Sequence, residues 1–411
     1  MVEKLKNIKI KYNPILFDLT VGVIVSLLFS AFLYLENFGF TIKILNTIFG
    51  ILSLALLLYI PKRAVLIAGF FIGLLWFYWI GYSFKYNGVG YLSPIITLIF
   101  ATVYMLFFGV LALTNSVALR AVFLFALSFF EPVDFNWLQI ELLFVDSYFG
   151  VFKYQLAIIL LALSAPNYIK TYRYLPLLLL FFALNFNYPI QKDAPLKIKL
   201  VATDINQDQK WERENLALTI KMIFSEISSA IKENYDVVVL PESVFPFYMN
   251  EAPAVIDKLK VLSNEIAIVT GSLLREGTKH YNVTYIFNEG NFEVAKKLVL
   301  VPFGEYIPLP SFIKKYVNDV FFAGASDFKT ATEPTDFTIK GVKFRNAICY
   351  EATCKEIYEG DVDFVVATSN NAWFYPSIEP TLQKLLMRFY ARKNGVTIYH
   401  SANWRGTAII K

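Results

Sequence analysis

"NYPIQKDAPLK", residues 187–197, is where the chain changes its chemistry. Up to Pro189 one long apolar window follows another, and from Asp193 short apolar runs alternate with charged ones. Prolines and charges packed this closely read as a linker, so the stretch divides a domain over 1–190 from another over 191–411. The chain has 411 residues, 56% of them hydrophobic and 17% aromatic, a composition too apolar for an ordinary soluble protein.

Working toward the N-terminus, seven stretches approach the ~20 apolar residues that a bilayer crossing needs. They lie near 14–35, 42–60, 64–84, 90–113, 116–131, 150–166 and 173–190. With the N-terminus inside, Lys4, Lys6, Lys9, Lys11, Lys62, Arg63, Arg120, Lys170 and Arg173 all fall on the cytoplasmic side. The opposite loops carry Glu36, Glu131, Asp134, Glu141 and Asp146, with Lys43, Lys85 and Lys153 as basic exceptions. An odd number of spans exports residues 191–411, and the first span reads as an uncleaved anchor.

The net charge of +5 is accounted for by the inside loops. With no basic-aromatic patch, phosphate-cradling glycine loop or zinc spacing, neither nucleic acid, cofactor nor metal is expected.

Working toward the C-terminus, β-branched runs such as "KIKLVATDI", "DVVVLPES", "IAIVTGSLL", "YNVTYIF", "VKFRNAICYEA", "DFVVATSN" and "VTIYHSAN" alternate with amphipathic stretches. That pattern is an α/β layered domain, a class that builds its sites at strand ends. Glu242 follows "VVVLP", Lys297 lies in "AKKLVLVPFGEY", and Cys349 follows "FRNAI".

The chain's two cysteines, Cys349 and Cys354, admit three readings: a disulfide, small core residues, or one nucleophile. "YEATCKEIYEG" after Cys349 reads as a helix start, whose N-terminus would favour a thiolate. His280 and His400 belong to no motif and read as structural. A carboxylate can replace histidine as base, and a lysine can hold an oxyanion. Glu242, Lys297 and Cys349 fit these roles, although singly each reads as well as a strand end, a surface lysine and a core thiol.

Together these residues resemble the nitrilase superfamily, whose members use a Glu-Lys-Cys triad in an αββα sandwich. The membrane half, with "WFYWIGYSF" and "NWLQIELLFVDSYFG", narrows the resemblance to the apolipoprotein N-acyltransferases. It runs on through "QDQKW", "LPESVFP", "KLVLVPFGEYIPL", "ICYEA", "TSNNAWF" and "SANWRG".

The resemblance implies Glu242 as general base, Lys297 as oxyanion holder and Cys349 as nucleophile. It also implies Glu305 as a second carboxylate, Tyr350 and Glu351 as the pair after the nucleophile, and Trp211 as an aromatic at the entrance. Phe245, Phe247, Tyr248, Ile307, Leu309, Trp373, Phe374 and Tyr375 would supply apolar cover. The implied reaction moves the sn-1 acyl chain of phosphatidylethanolamine through a Cys thioester to the α-amino group of an apolipoprotein's diacylglyceryl-cysteine. A monomer in the bacterial inner membrane with a periplasmic catalytic domain is expected.

Asn371, Lys384 and "NWRG" stand where the family usually has Asp, His and Asn-Thr-Gly, and relatives of this kind continue beyond "TAIIK" into further sheet and a last transmembrane helix. The rival readings are a membrane-tethered amidase and a non-catalytic lipid- or lipoprotein-binding protein.

Overall fold

The computed structural model describes residues 13–186, 189–302, 304–306 and 328–411. Lys4, Lys6, Lys9, Lys11, Ile307 and Leu309 lie outside the described residues. The chain forms two compact units, Met1–Pro132 with Asn136–Tyr188, and Val133–Phe135 with Pro189–Lys411.

In the first unit α1 (Pro14–Asn37) begins at Asn13, whose Oδ1 accepts from the Ile15 N–H at 3.0 Å, with proline in the first turn. It is followed by α2 (Lys43–Tyr59), α3 (Lys62–Phe77), α4 (Ser93–Gly109), α5 (Val117–Leu127) and α6 (Lys153–Ser164). Pro14–Asn37, Lys62–Tyr86 and Gly90–Leu113 are long and apolar enough to cross a membrane. The other expected spans are shorter as continuous helices. The 11 residues of α5 reach only about 16 Å at 1.5 Å per residue, against a hydrocarbon core of roughly 30 Å. The last expected span forms a 3₁₀ segment, Leu175–Ala183, with a proline in its first turn.

Small residues bring α3 and α4 together: a Cβ on Gly73 would lie 2.6 Å from Tyr104 Cβ, and one on Gly69 2.7 Å from Phe108 Cβ. Such close approach is how helices without a hydrophobic driving force gain packing contacts. Two residues expected in loops are instead buried. The Arg120 guanidinium donates to the carbonyls of Leu58 (3.2 Å), Ile60 (2.6 Å) and Thr114 (3.2 Å), satisfying α2's last turn. Glu141 pairs with Lys153 at 2.6 Å.

The second unit holds two five-stranded sheets. The first contains β1 (Ile198–Leu200), β2 (Val237–Val239), β3 (Ala267–Glu276), β4 (Lys279–Asn288) and β5 (Asn291–Lys296), in that order. The second is ordered β10-β9-β8-β7-β6, from β6 (Asp336–Ile339), β7 (Val342–Ile348), β8 (Phe364–Asn370), β9 (Thr397–Asn403) and β10 (Ala408–Ile410). β1–β3 and β7–β9 are parallel, and antiparallel pairs add β4 and β5 to the first sheet and β6 and β10 to the edges of the second.

Among the described residues this unit also has helices α7 (Gln207–Lys210), α8 (Arg213–Lys232), α9 (Pro253–Leu262) and α10 (Glu379–Asn394). Val237 and Val239 pack toward Phe337, Phe344, Val366 and Tyr399 of the other sheet, while Val238 and Leu240 pack with Ile223 and Ile227 of α8 and Leu259 of α9. Burial on both faces is why "VVVL" has no alternation, each fully buried valine or leucine contributing about 1.5–3 kcal/mol. On the far side α10 packs against β9 and β10, burying Leu382, Leu385, Leu386 and Phe389 at helical spacing. The layers run helix, sheet, sheet, helix.

The helix expected after Cys349 is absent. β7 ends at Ile348 and two 3₁₀ turns follow, Cys349–Thr353 and Lys355–Tyr358. Glu351 folds back so that Oε1 accepts the Ile348 N–H at 2.7 Å, and Cys349 turns through φ +54°, a left-handed conformation that non-glycine residues rarely adopt. A five-residue turn supplies no helix dipole, so the expected thiolate-favouring helix N-terminus is corrected. Cys349 and Cys354 form no disulfide, and buried Cys354 directs its thiol to the Tyr350 carbonyl at 3.5 Å.

Candidate active site

β5 is antiparallel to β4 and β4 to β3, so β5 runs the same way as β2, and their C-terminal ends share one edge of the first sheet. Glu242 lies just past β2, Lys297 directly after β5, and Cys349 directly after β7.

Lys297 is fully buried. Its Nζ stands 2.7 Å from Glu305 Oε2 and 3.9 Å from Glu242 Oε1. The approach to Glu305 falls outside hydrogen-bond geometry, so Nζ is an ion-pair partner with no hydrogen bond among the described residues. Burial works against its charge, but Glu305 and then Glu242 outweigh it and hold Lys297 above the usual lysine range.

Asn282 of β4 joins the two carboxylates: Nδ2 donates to Glu242 Oε1 at 2.8 Å and to Glu305 Oε1 at 3.0 Å. Its carbonyl accepts the Lys297 N–H at 3.0 Å, and the Val301 N–H donates to Glu305 Oε2 at 2.9 Å. Sequence reasoning missed Asn282, which reads there as one polar residue in the alternation of "YNVTYIF".

Cys349 shares this electrostatic environment. Burial, and then the Glu242 charge, push its thiol well above the ordinary range, with Lys297 pulling the other way. The resting group is therefore a neutral thiol that needs a base. Gln383 of α10 donates toward Sγ, Nε2 to Sγ being 3.8 Å.

Glu351 is a clamp. Besides Ile348, its Oε2 accepts the N–H groups of Leu298 (2.6 Å) and Val299 (3.0 Å), tying the turn at Cys349 to the segment leaving Lys297. Burial pushes its carboxyl up to about 7, against Lys297 and these donors. Tyr350 is buried, and its ring stacks on Phe135 with centroids 6.2 Å apart. Trp211, 46% exposed, caps α7.

In that helix Lys210, another residue missed from sequence, is buried with Nζ 3.2 Å from the Glu242 carbonyl oxygen. Burial pulls it down to about 8, against the charges of Glu242 and Cys349. Of the expected apolar cover, Phe245 belongs to the core, Tyr248 bonds His280 Nδ1 at 2.8 Å, and exposed Tyr375 meets Trp404 edge-on. His400 is buried between Ser369 Oγ and the Gly406 carbonyl, a structural pairing.

Gly271 fixes where Glu242 sits. A Cβ there would fall 2.4 Å from Ser243 N and 2.6 Å from Glu242 Cα, both backbone atoms that cannot yield. Gly271→Ala is expected to displace Glu242 and slow turnover by on the order of 100-fold, as an ångström-scale misplacement does. Initial rates and thermal midpoint of the purified variant check this; a wild-type rate would show that Glu242 needs no such placement.

Models of known families match both halves: residues 16–186 match the apolipoprotein N-acyltransferase integral membrane domain, and residues 200–410 match carbon-nitrogen hydrolase. The apolipoprotein N-acyltransferase of Wolinella succinogenes is 42% identical over 400 residues, 96% of this chain and 96% of that protein. Those of Helicobacter hepaticus and Campylobacter jejuni are 38% and 35% identical, covering 92% and 98% of this chain and 96% and 91% of theirs. Matched through its membrane half and its hydrolase-like half alike, this integral membrane protein belongs to the apolipoprotein N-acyltransferase family.

Proposed function

We propose that the protein transfers the sn-1 acyl chain of phosphatidylethanolamine, through a thioester on Cys349, to the α-amino group of the N-terminal diacylglyceryl-cysteine of apolipoproteins. The observation that carries this reading is the fully buried Lys297 ammonium, held between the carboxylates of Glu242 and Glu305 and within the electrostatic reach of the Cys349 thiol. A donor held ready in this way suits an oxygen that becomes negative only during reaction.

Glu242 takes the thiol proton as Sγ attacks the ester carbonyl, and Lys297 holds the oxyanion. The C–O bond then breaks, the proton passes from Glu242 to the glyceryl oxygen, and lysophospholipid leaves. The acceptor amine attacks the thioester, Glu242 or Glu305 receives its proton, and Sγ leaves and is reprotonated as the amide forms. Glu305 holds Lys297 in place, Glu351 and Tyr350 shape the turn at Cys349, and Trp211 stands at the entrance. The apolar windows and the distribution of basic residues support seven crossings of the inner membrane, with residues 191–411 as the catalytic domain on the periplasmic side.

Intact mass of the detergent-purified protein after exposure to phosphatidylethanolamine tests the proposal. One acyl mass, removed by hydroxylamine and mapped to the peptide containing Cys349, is the expected result. Lipid bound without a covalent adduct would overturn the enzyme reading in favour of a lipid-binding one.

A further inference from the structure

Glu379 opens α10 and Gln383 follows one turn later, so the two side chains share a face of that helix. Both are buried, at 1% and 0% exposure. Asn371 orients Gln383: its Nδ2 donates to Gln383 Oε1 at 3.2 Å and to the Arg405 carbonyl at 2.8 Å. Gln383 is left with Nε2 toward Cys349 Sγ, so this face of α10 looks onto the nucleophile. On the same face, Glu379 Oε2 is buried with no hydrogen-bond partner among the described residues.

A polar atom buried and unpartnered weakens a fold, and a straight apolar side chain would fill the same space without that penalty. Such an atom, on the helix face that looks onto the Cys349 thiol, calls for a ligand that completes it. We propose that Glu379 is a substrate-binding residue of the acyl-transfer site, its unpartnered carboxyl oxygen meeting an ester oxygen of the acyl donor.

The inference rests on the acyl-transfer reading and adds to it a contact specific to the first half of the reaction. Burial, and then the Glu242 charge, raise Glu379 well above the carboxylate range, so the group carries its proton and presents an O–H. An ester offers lone pairs and no donors, which complements that O–H. The ammonium of an arriving acceptor would instead call for a carboxylate.

The test compares full-length Glu379→Met and Glu379→Gln with wild type in detergent, by the single-turnover rate of acyl-adduct formation from phosphatidylethanolamine. Glu379→Met is expected to slow acylation on the order of 10- to 100-fold, with a thermal midpoint at or above wild type. It should slow aminolysis of the preformed thioester by a diacylglyceryl-cysteine peptide far less. Glu379→Gln, which keeps a donor, is expected to recover to within about threefold of wild type. A wild-type acylation rate in Glu379→Met, or equal losses in both variants, overturns the proposal. Absence of the adduct in wild type would instead refute the acyl-transfer reading itself.

Discussion

Lys297→Met is expected to lose acylation and stability together, by separate physical routes. Acylation should fall on the order of 100- to 1,000-fold, because the ammonium proposed to hold the developing oxyanion is gone. Stability should fall by about 3 kcal/mol, because Glu305 and Glu242 remain nearly buried without the ammonium that compensates them. Asn282 and the Val301 N–H still hold Glu305, which keeps the loss at the lower end for a broken buried pair. Adding Glu305→Gln separates the routes. The double variant removes one stranded charge, so its thermal midpoint should climb back toward wild type while acylation stays low. Recovery of both would show that Lys297 matters only as the counter-charge of Glu305.

How far the sequence foretells this arrangement depends on whether a residue's neighbours are local. The apolar windows and the β-branched runs such as "DVVVLPES" are local patterns, and the structure has helices in the former and strands in the latter. The helix read after Cys349 is also a local inference, and it fails because Glu351 has a better use for its carboxylate. By binding N–H groups from two separated segments it bends the chain into 3₁₀ turns. Seven apolar windows likewise do not become seven full-length helices, since Pro176 and the short α5 interrupt what composition alone runs together.

Glu242, Lys297 and Cys349 stood out in the sequence as weak single signals at strand ends, and the family resemblance joined them into a set and added Glu305. Asn282, Lys210 and Glu379 gave no such signal. Lys210 sits in the polar run "QDQK", and Glu379 resembles any acid in a helix's first turn. What makes them notable is the meeting of ends from β2, β4, β5, β7 and α10, and no periodicity within one element reports that meeting.

Glu242→Gln isolates the base from the scaffold. The amide is isosteric and can still accept from Asn282, so the thermal midpoint should move little. Acylation at neutral pH should nevertheless drop by about 100- to 10,000-fold, the range expected when a positioned general base is lost. The pH dependence should change as well. In wild type the thiol is held neutral first by burial and then by the Glu242 charge, so under the proposed mechanism attack relies on proton transfer to Glu242. In the variant that charge is gone and the thiol pKa falls, although burial keeps it above the ordinary range. The residual rate then depends on the spontaneously ionised fraction and should rise about tenfold per pH unit up to the thiol pKa. Acylation rates across the stable alkaline range would read that slope directly. A variant that keeps a tenth of the wild-type rate at neutral pH, or whose rate ignores pH, would mean that another group takes the proton.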